Sequence, residues 1–151
     1  MYNILIIMDI KKINLPIPEK VDNTEELKQL NNLYFNKNSN NLLNNIKKKI
    51  SGYKQQDIKK KKLDIDNFIT CDKTIELLVI SQLKCFYCNR HMKIKYNNCR
   101  DKQQWTLDRI DNDLGHNNEN VKIACLECNL KRRRINMEKF LFTKQLNIIK
   151  Q

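Results

Sequence analysis

Apolar residues recur at helical spacing in three runs within the first half of the chain, and each run predicts an amphipathic helix. The first helix begins at Thr24, where Thr-Glu-Glu suits a helix N-terminus. The second covers residues 41–51 and stops at Gly52, and the third covers residues 72–83. The apolar positions of the three runs are Leu27, Leu30, Leu33 and Tyr34; Leu42, Leu43, Ile46 and Ile50; and Ile75, Leu78, Val79 and Leu83. We expect the first two helices to pack as a hairpin and the third to pack on the unit that follows.

Short apolar runs typical of strands replace the helical pattern further along the chain. They predict strands over residues 105–108 and 121–125. A helix then begins near Cys128, and Asn136 is the predicted N-cap of a last helix that continues to Ile149. The predicted fold class is therefore α+β, with a C-terminal module of two strands and a helix behind a mainly helical N-terminal region.

The N-terminal region carries two further signals. Two prolines discourage helix within residues 1–20, which predicts an extended arm or an edge strand. Lys59–Lys62 is a run of like charges, so it is either a linker or an exposed helix end, and either solvated or in contact with a phosphate backbone. We divide the chain into residues 1–71, a helical or linker region of unknown role, and residues 72–151, the C-terminal module.

Composition limits the class of protein. A chain of 151 residues is one ordinary domain, or a small module with a helical appendage, which excludes a large multidomain enzyme. The apolar run Tyr2–Met8 is too short for a signal peptide or a membrane span of roughly 20 residues, so we expect a soluble, intracellular protein. Lys and Arg total 29 against 17 Asp and Glu, a net charge of +12. This balance favours a nucleic-acid partner, and the alternative is a solvated basic surface without a specific role.

Four of the six cysteines form two CxxC pairs, Cys85/Cys88 and Cys125/Cys128. Two residues between thiols allow one tight turn to aim both sulfurs at one tetrahedral ion, which predicts a four-cysteine zinc site. Four thiolates leave no open position on the ion, so the zinc would be structural. A small module with few apolar residues depends on its ion, so removing zinc should unfold the C-terminal half.

Four nearby residues receive structural interpretations. His91 follows the first thiol pair, and we expect it at the surface or beside the zinc site rather than as a ligand. Cys71 and Cys99 have no partner at metal spacing, so we predict small apolar residues in crevices. Trp105 is the only tryptophan in a module that is short of apolar volume, and it is predicted to lie in the core rather than to stack on bases.

An ordered set of polar residues lies between and around the thiol pairs. It consists of Leu-Asp108-Arg-Ile-Asp111-Asn, then Gly-His116, Glu-Asn120-Val, Cys128-Asn129 and Lys131. Together with the CxxC pairs, this set resembles the HNH endonucleases of the ββα-metal fold, in the zinc-stapled variety of phages and giant viruses and of phage junction-resolving nucleases. The resemblance covers residues 83–140. It implies a metal-dependent endonuclease that hydrolyses DNA phosphodiester bonds.

The resemblance implies roles for three side chains. Asp108 and Asn129 would together bind one catalytic Mg²⁺ or Mn²⁺, and their hard oxygens suit such a cation. The cation would polarise the scissile phosphate and stabilise the departing 3′ oxygen. Asn120 would brace the loop between the strands through its side-chain amide.

The general base has several candidates. Where the family has a histidine after the metal-binding aspartate, this chain has Arg109, which stays protonated and can instead clamp the phosphate. His116 titrates near neutrality, so it is either the base or a packing residue. Asp111 is either a base or second carboxylate, or it caps the turn with Asn112. A further alternative is that the metal deprotonates its own water.

A basic segment, Lys131, Arg132, Arg133 and Arg134, follows Asn129. We predict that it contacts DNA phosphates and that cutting weakens as salt rises.

The N-terminal helices would supply target recognition or homodimer contacts. Two other classes stay open: an inactive HNH-like zinc module that binds nucleic acid, and a zinc ribbon for protein or ribosome contacts. Homing, restriction, junction resolution and genome packaging all use the HNH fold, so the fold does not choose the biological role.

Overall fold

The computed structural model describes residues 24–36 and 40–146. Within them the chain forms five helices and a two-stranded sheet, so the α+β class is confirmed. The elements are α1 (Thr24–Asn36), α2 (Asn40–Lys59), α3 (Cys71–Ile80), β1 (Trp105–Arg109), β2 (Val121–Cys125), α4 (Leu126–Arg132) and α5 (Met137–Gln145). The predicted N-terminal arm lies outside the described residues, and the last helix ends at Gln145, because the backbone of Leu146 is extended, instead of continuing to Ile149.

Helix α2 corrects the sequence prediction, because it continues through Gly52 to Lys59. Burial also continues at helical spacing beyond the glycine, at Tyr53 and Asp57. Tertiary packing of this face therefore outweighs the low helix propensity of a single glycine. Two alternatives were open for the lysine run, a linker or an exposed helix end. The structure shows the helix end, since Lys59, Lys60 and Lys61 are exposed where the helix stops.

The strands pair antiparallel, with Trp105 opposite Cys125 and Arg109 opposite Val121. Their positions agree with the prediction to within one residue. The Asn136 side chain accepts hydrogen bonds from the backbone N–H groups of Glu138 and Lys139, so the predicted N-cap of α5 is confirmed.

One hydrophobic core joins the two predicted regions. It contains Leu30, Leu42 and Ile46 from the helical side and Leu78 and Trp105 from the other. Trp105 is 1% exposed, which confirms its predicted core position. Because the described residues on both sides of position 71 share this core, α2 is part of the environment of the sheet. No helix within 24–36 and 40–146 is both long and apolar enough to cross a membrane.

Side chains from α2 and α4 bond to the edge of β1 that does not pair with β2. The Tyr53 hydroxyl accepts a hydrogen bond from the Leu107 backbone N–H at 3.1 Å. The Lys49 ammonium donates to the Trp105 carbonyl, and the Asn129 amide donates to the Leu107 carbonyl at 3.4 Å. These contacts hold both helices against the strand.

Candidate active site and metal centre

The predicted thiol cluster is present. The sulfurs of Cys85, Cys88, Cys125 and Cys128 all lie within 4.8 Å of one another. Cys85 and Cys88 lie in a turn after α3, whereas Cys125 ends β2 and Cys128 lies in the first turn of α4. Cys125 also caps α4, because its sulfur accepts a bond from the Cys128 backbone N–H at 3.4 Å. Four sulfurs this close fit one tetrahedral metal ion.

Hydrogen bonds among the four thiols lower the pKa values of Cys85 and Cys88 and raise those of Cys125 and Cys128. Hydrogen bonds from the Cys125 and Cys128 thiols lower the pKa of Cys85 to about 6. The Arg90 guanidinium donates to the Cys88 sulfur at 3.4 Å and pairs with Glu127 at 2.7 Å. Since metals bind the deprotonated sulfur, these contacts favour the metal-binding form of the first cysteine pair.

The residues that were predicted to lie outside the metal site do so. His91 is exposed, as expected for a surface residue. Cys71 is half-buried and Cys99 is exposed, and each lines a surface crevice, as predicted.

A second feature, the central cleft, lies between α2, β1 and α4 and has a volume of about 540 Å³. It brings together the predicted residues Asp108, Arg109, His116 and Asn129. The full lining is Lys49, Gly52, Tyr53, Gln56, Lys60, Gln104, Thr106, Leu107, Asp108, Arg109, Asn112, His116, Leu126, Asn129 and Leu130. One wall therefore comes from α2, one of the helices for which the sequence analysis predicted target recognition or homodimer contacts.

Asp108 is buried in an ion pair. The Arg132 guanidinium donates from Nε to Asp108 Oδ2 at 2.7 Å and from Nη2 to Oδ1 at 3.1 Å. The Tyr87 hydroxyl donates to Oδ2 as well. Arg132 is 1% exposed, so the structure corrects its assignment to the DNA-contacting segment. Its position three residues after Asn129 turns it inward, onto the carboxylate.

Asp108 and Asn129 each retain an oxygen of the type that a hard cation binds. A carboxylate has about four acceptor positions, and the three bonds leave one position on Asp108 Oδ1. The described bonds of Asn129 run from its Nδ2 to Thr106 Oγ1 and the Leu107 carbonyl, which leaves its Oδ1 as a donor oxygen. Two protein oxygens suit Mg²⁺ or Mn²⁺, which keep most of their waters. The positive charge of Arg132 opposes a cation at the same carboxylate.

His116 is held by Asp57, which the sequence analysis missed. Its Nδ1 lies 2.8 Å from Asp57 Oδ1, and its backbone N–H donates to Oδ2 at 2.7 Å. Asp57 is fully buried, and the Tyr53 ring packs against the imidazole with centroids 4.6 Å apart. Burial lowers the pKa of His116, although the charge of Asp57 acts in the opposite direction. The imidazole is therefore neutral at neutral pH and oriented through Nδ1.

Gly115 allows the contact between His116 and Asp57. A Cβ at this position would lie 2.5 Å from the Lys62 carbonyl oxygen and 2.8 Å from Asp57 Oδ2. A glycine is therefore needed where the loop approaches α2. The Gly-His pair is the signal in the sequence for a tight approach to His116.

Asn120 and Asp111 organise the loop between the strands. The Asn120 amide donates to the carbonyls of Asp111 and Gly115, both at 2.9 Å, and its oxygen accepts from the Asp111 N–H. This is the bracing position predicted for Asn120. Asp111 is exposed, does not line the central cleft, and accepts from the Asp113 N–H at 2.8 Å. Of its predicted alternatives, the structure supports the turn cap and not the base.

The other members of the basic segment are exposed. Lys131 pairs with Glu127 and Arg134 pairs with Asp113, each at 2.7 Å. Arg133 ends α4 with a positive φ of 52°. These three side chains face solvent, so their predicted contact with phosphates stays a prediction.

No protein-family model, curated protein or solved structure matches the chain significantly. The resemblance to HNH endonucleases therefore depends on the motif residues and their arrangement alone.

Proposed function

We propose that the chain is a metal-dependent endonuclease of the HNH type that hydrolyses DNA phosphodiester bonds, with a structural zinc ion in the thiol cluster. One observation carries the proposal: Asp108, Asn129 and a carboxylate-held His116 line one cleft. Oxygen donors for a hard cation and a neutral imidazole are the groups that metal-assisted phosphodiester hydrolysis requires.

His116 would act as the general base. With Nδ1–H donating to Asp57, the lone pair of Nε2 is free to take a proton from an attacking water. The Asp57 carboxylate then stabilises the imidazolium that forms, and fixes the plane of the ring. His116 would thus supply the general base that Arg109 cannot supply at the position where the family has a histidine.

Arg109 would hold the phosphate. Its Nη1 donates to the carbonyls of Asn112 and Leu114 at 3.3 and 3.1 Å, which fixes the guanidinium at the cleft. A fixed guanidinium favours the additional negative charge of the transition state without reorganisation. When bound by Asp108 and Asn129, a divalent cation would polarise the phosphate and stabilise the leaving oxygen.

A plasmid-nicking assay with Mg²⁺ or Mn²⁺ tests the proposal. Asn129→Ala should abolish nicking, since it removes a donor oxygen, whereas Glu119→Gln changes an exposed side chain outside the cleft and should nick like wild type. Folding of each variant is checked by circular dichroism and zinc content. Equal nicking by wild type and Asn129→Ala would assign the activity to a contaminant.

A second candidate is a nucleic-acid-binding module without catalysis. It is favoured by the bidentate Arg132, which already neutralises Asp108 and opposes a cation there. Zinc-loaded protein that binds DNA in a salt-sensitive manner but cuts no substrate with any divalent metal would select this candidate.

A further inference from the structure

The chain contains two glycines, and the structure explains only one of them through internal contacts. Gly115 is required by the close approach of its loop to Asp57. At Gly52, a Cβ would meet none of the described residues within 4 Å. A glycine inside a helix is destabilising relative to alanine, so α2 carries this residue without a steric reason in the part of the chain that the structure describes.

Gly52 lies on the face of α2 that lines the central cleft. Lys49 and Gln56 lie on the same face, three residues before Gly52 and four residues after it, and Tyr53 and Lys60, which follows the end of α2, also line the cleft. A side chain at position 52 would project into the cleft, between the two lysines. The backbone of α2 is therefore open to an occupant of the cleft at this one position.

The charges of the cleft favour an anionic occupant. Lys49, Lys60 and Arg109 are its basic residues, although the Lys49 ammonium already donates to Gln104 Oε1 and the Trp105 carbonyl, and Asp108 is the one acidic residue in the described lining. Its charge is balanced by Arg132. Burial lowers the pKa of Lys49 to about 7, and a phosphate nearby would restore its charged form.

We propose that Gly52 keeps the α2 wall open so that the sugar-phosphate backbone of a DNA strand lies against the helix between Lys49 and Lys60. The inference depends on the proposed function for its substrate class. It assigns the N-terminal half of the chain to substrate binding. The missing side chain at position 52 would leave the space that the DNA strand occupies. Glycine serves this purpose because it lets a ligand approach the backbone closely.

Binding of a labelled duplex to Gly52→Leu tests the inference, with Ser51→Leu as the matched control. Ser51 is exposed on the same helix but does not line the cleft. We expect the dissociation constant to rise about tenfold or more for Gly52→Leu and to change little for Ser51→Leu. Gly52→Ala should fall between wild type and Gly52→Leu, while its thermal midpoint rises. Unchanged binding by Gly52→Leu, an equal loss in both leucine variants, or no DNA binding by wild type would overturn the inference.

Hydrolysis of bis(4-nitrophenyl) phosphate separates this inference from the proposed function. This small diester does not extend along α2, so Gly52→Leu should reduce its hydrolysis far less than it weakens duplex binding. A parallel loss of small-diester hydrolysis would mean that the leucine damages the reacting groups, which overturns the clearance role. If wild type hydrolyses neither substrate, the proposed catalysis fails, and the duplex-binding comparison alone decides the role of Gly52.

Discussion

Asp57 and His116, 59 residues apart in the chain, form a buried pair whose Oδ1 and Nδ1 atoms are 2.8 Å apart. The carboxylate comes from α2 and the imidazole from the loop before β2. The candidate base is therefore oriented by the half of the chain that has no part in the HNH resemblance.

The pH dependence of cutting should reveal this pair. Because burial lowers the pKa of His116, the imidazole stays neutral at neutral pH, and activity should fall only below about pH 6.5. Asp57 raises the pKa of His116, so Asp57→Asn should move this acid limb to lower pH as well as reduce kcat. A pH profile of kcat/KM checks both effects. An acid limb that does not move would show that Asp57 only packs there.

The same burial predicts a loss of stability in acid. A lowered folded-state pKa means that the unfolded chain binds a proton at His116 before the folded chain does, as pH falls below about 6.5. The resulting loss of unfolding free energy is absent above that pH. It grows as the pH falls from there to the folded-state pKa of His116. Urea denaturation across this range should show a shallower loss for His116→Gln than for wild type.

Asp108→Ala should lower the free energy of unfolding by roughly 3–5 kcal/mol, because it leaves the buried Arg132 guanidinium without its carboxylate. Replacing both partners, as Asp108→Leu with Arg132→Met, should recover part of the loss. Asp113→Ala breaks an exposed pair with Arg134 and should have little effect. Urea titration of zinc-loaded protein measures all three changes, and an undiminished stability in Asp108→Ala would contradict the buried pair.

Loss of the metal should unfold the C-terminal module. Cys88→Ala removes one of four sulfurs within 4.8 Å, and should abolish stoichiometric zinc binding and cooperative unfolding. Cys99→Ala changes an exposed cysteine outside the cluster and should keep both properties. Zinc content and thermal unfolding are the measurements. Cys88→Ala protein that unfolds cooperatively at the wild-type temperature without zinc would refute the structural role of the ion.

Gly115→Ala should separate the His116 loop from α2, since the added Cβ would meet the Lys62 carbonyl and the Asp57 carboxylate at 2.5 and 2.8 Å. We expect a stability loss of about 1–3 kcal/mol from strain and from the weakened hydrogen bonds. The ring resonances of His116 should also shift in NMR spectra. Gly52→Ala is the opposite case, since it meets open space and should stabilise the helix.

The sequence alone predicts the thiol cluster and both strands, because each depends on local spacing, and the HNH resemblance implies the bracing Asn120. The sequence does not reveal Asp57, because Gly52 suggested the end of a helix. The missed signal was the phase of α2: Ile46, Ile50, Tyr53 and Asp57 continue one helical face through the glycine. A carboxylate on a buried face needs a partner, and that partner is distant in sequence.

Arg132 shows a different limit of sequence reasoning. Four consecutive basic residues suggest one exposed surface, yet a helix turns each successive side chain by about 100°. Lys131 therefore reaches solvent while Arg132 reaches Asp108. Charge pattern without helical phase cannot separate the buried member from its neighbours.

The side chains along the free edge of β1 also limit how copies of this chain can associate. A two-stranded sheet ordinarily offers its outer backbone groups to another strand, which promotes edge-to-edge aggregation. Here Lys49, Tyr53 and Asn129 already occupy the carbonyl and N–H groups that a foreign strand would need. The outer edge of β1 is therefore blocked to a strand from a second copy of this chain.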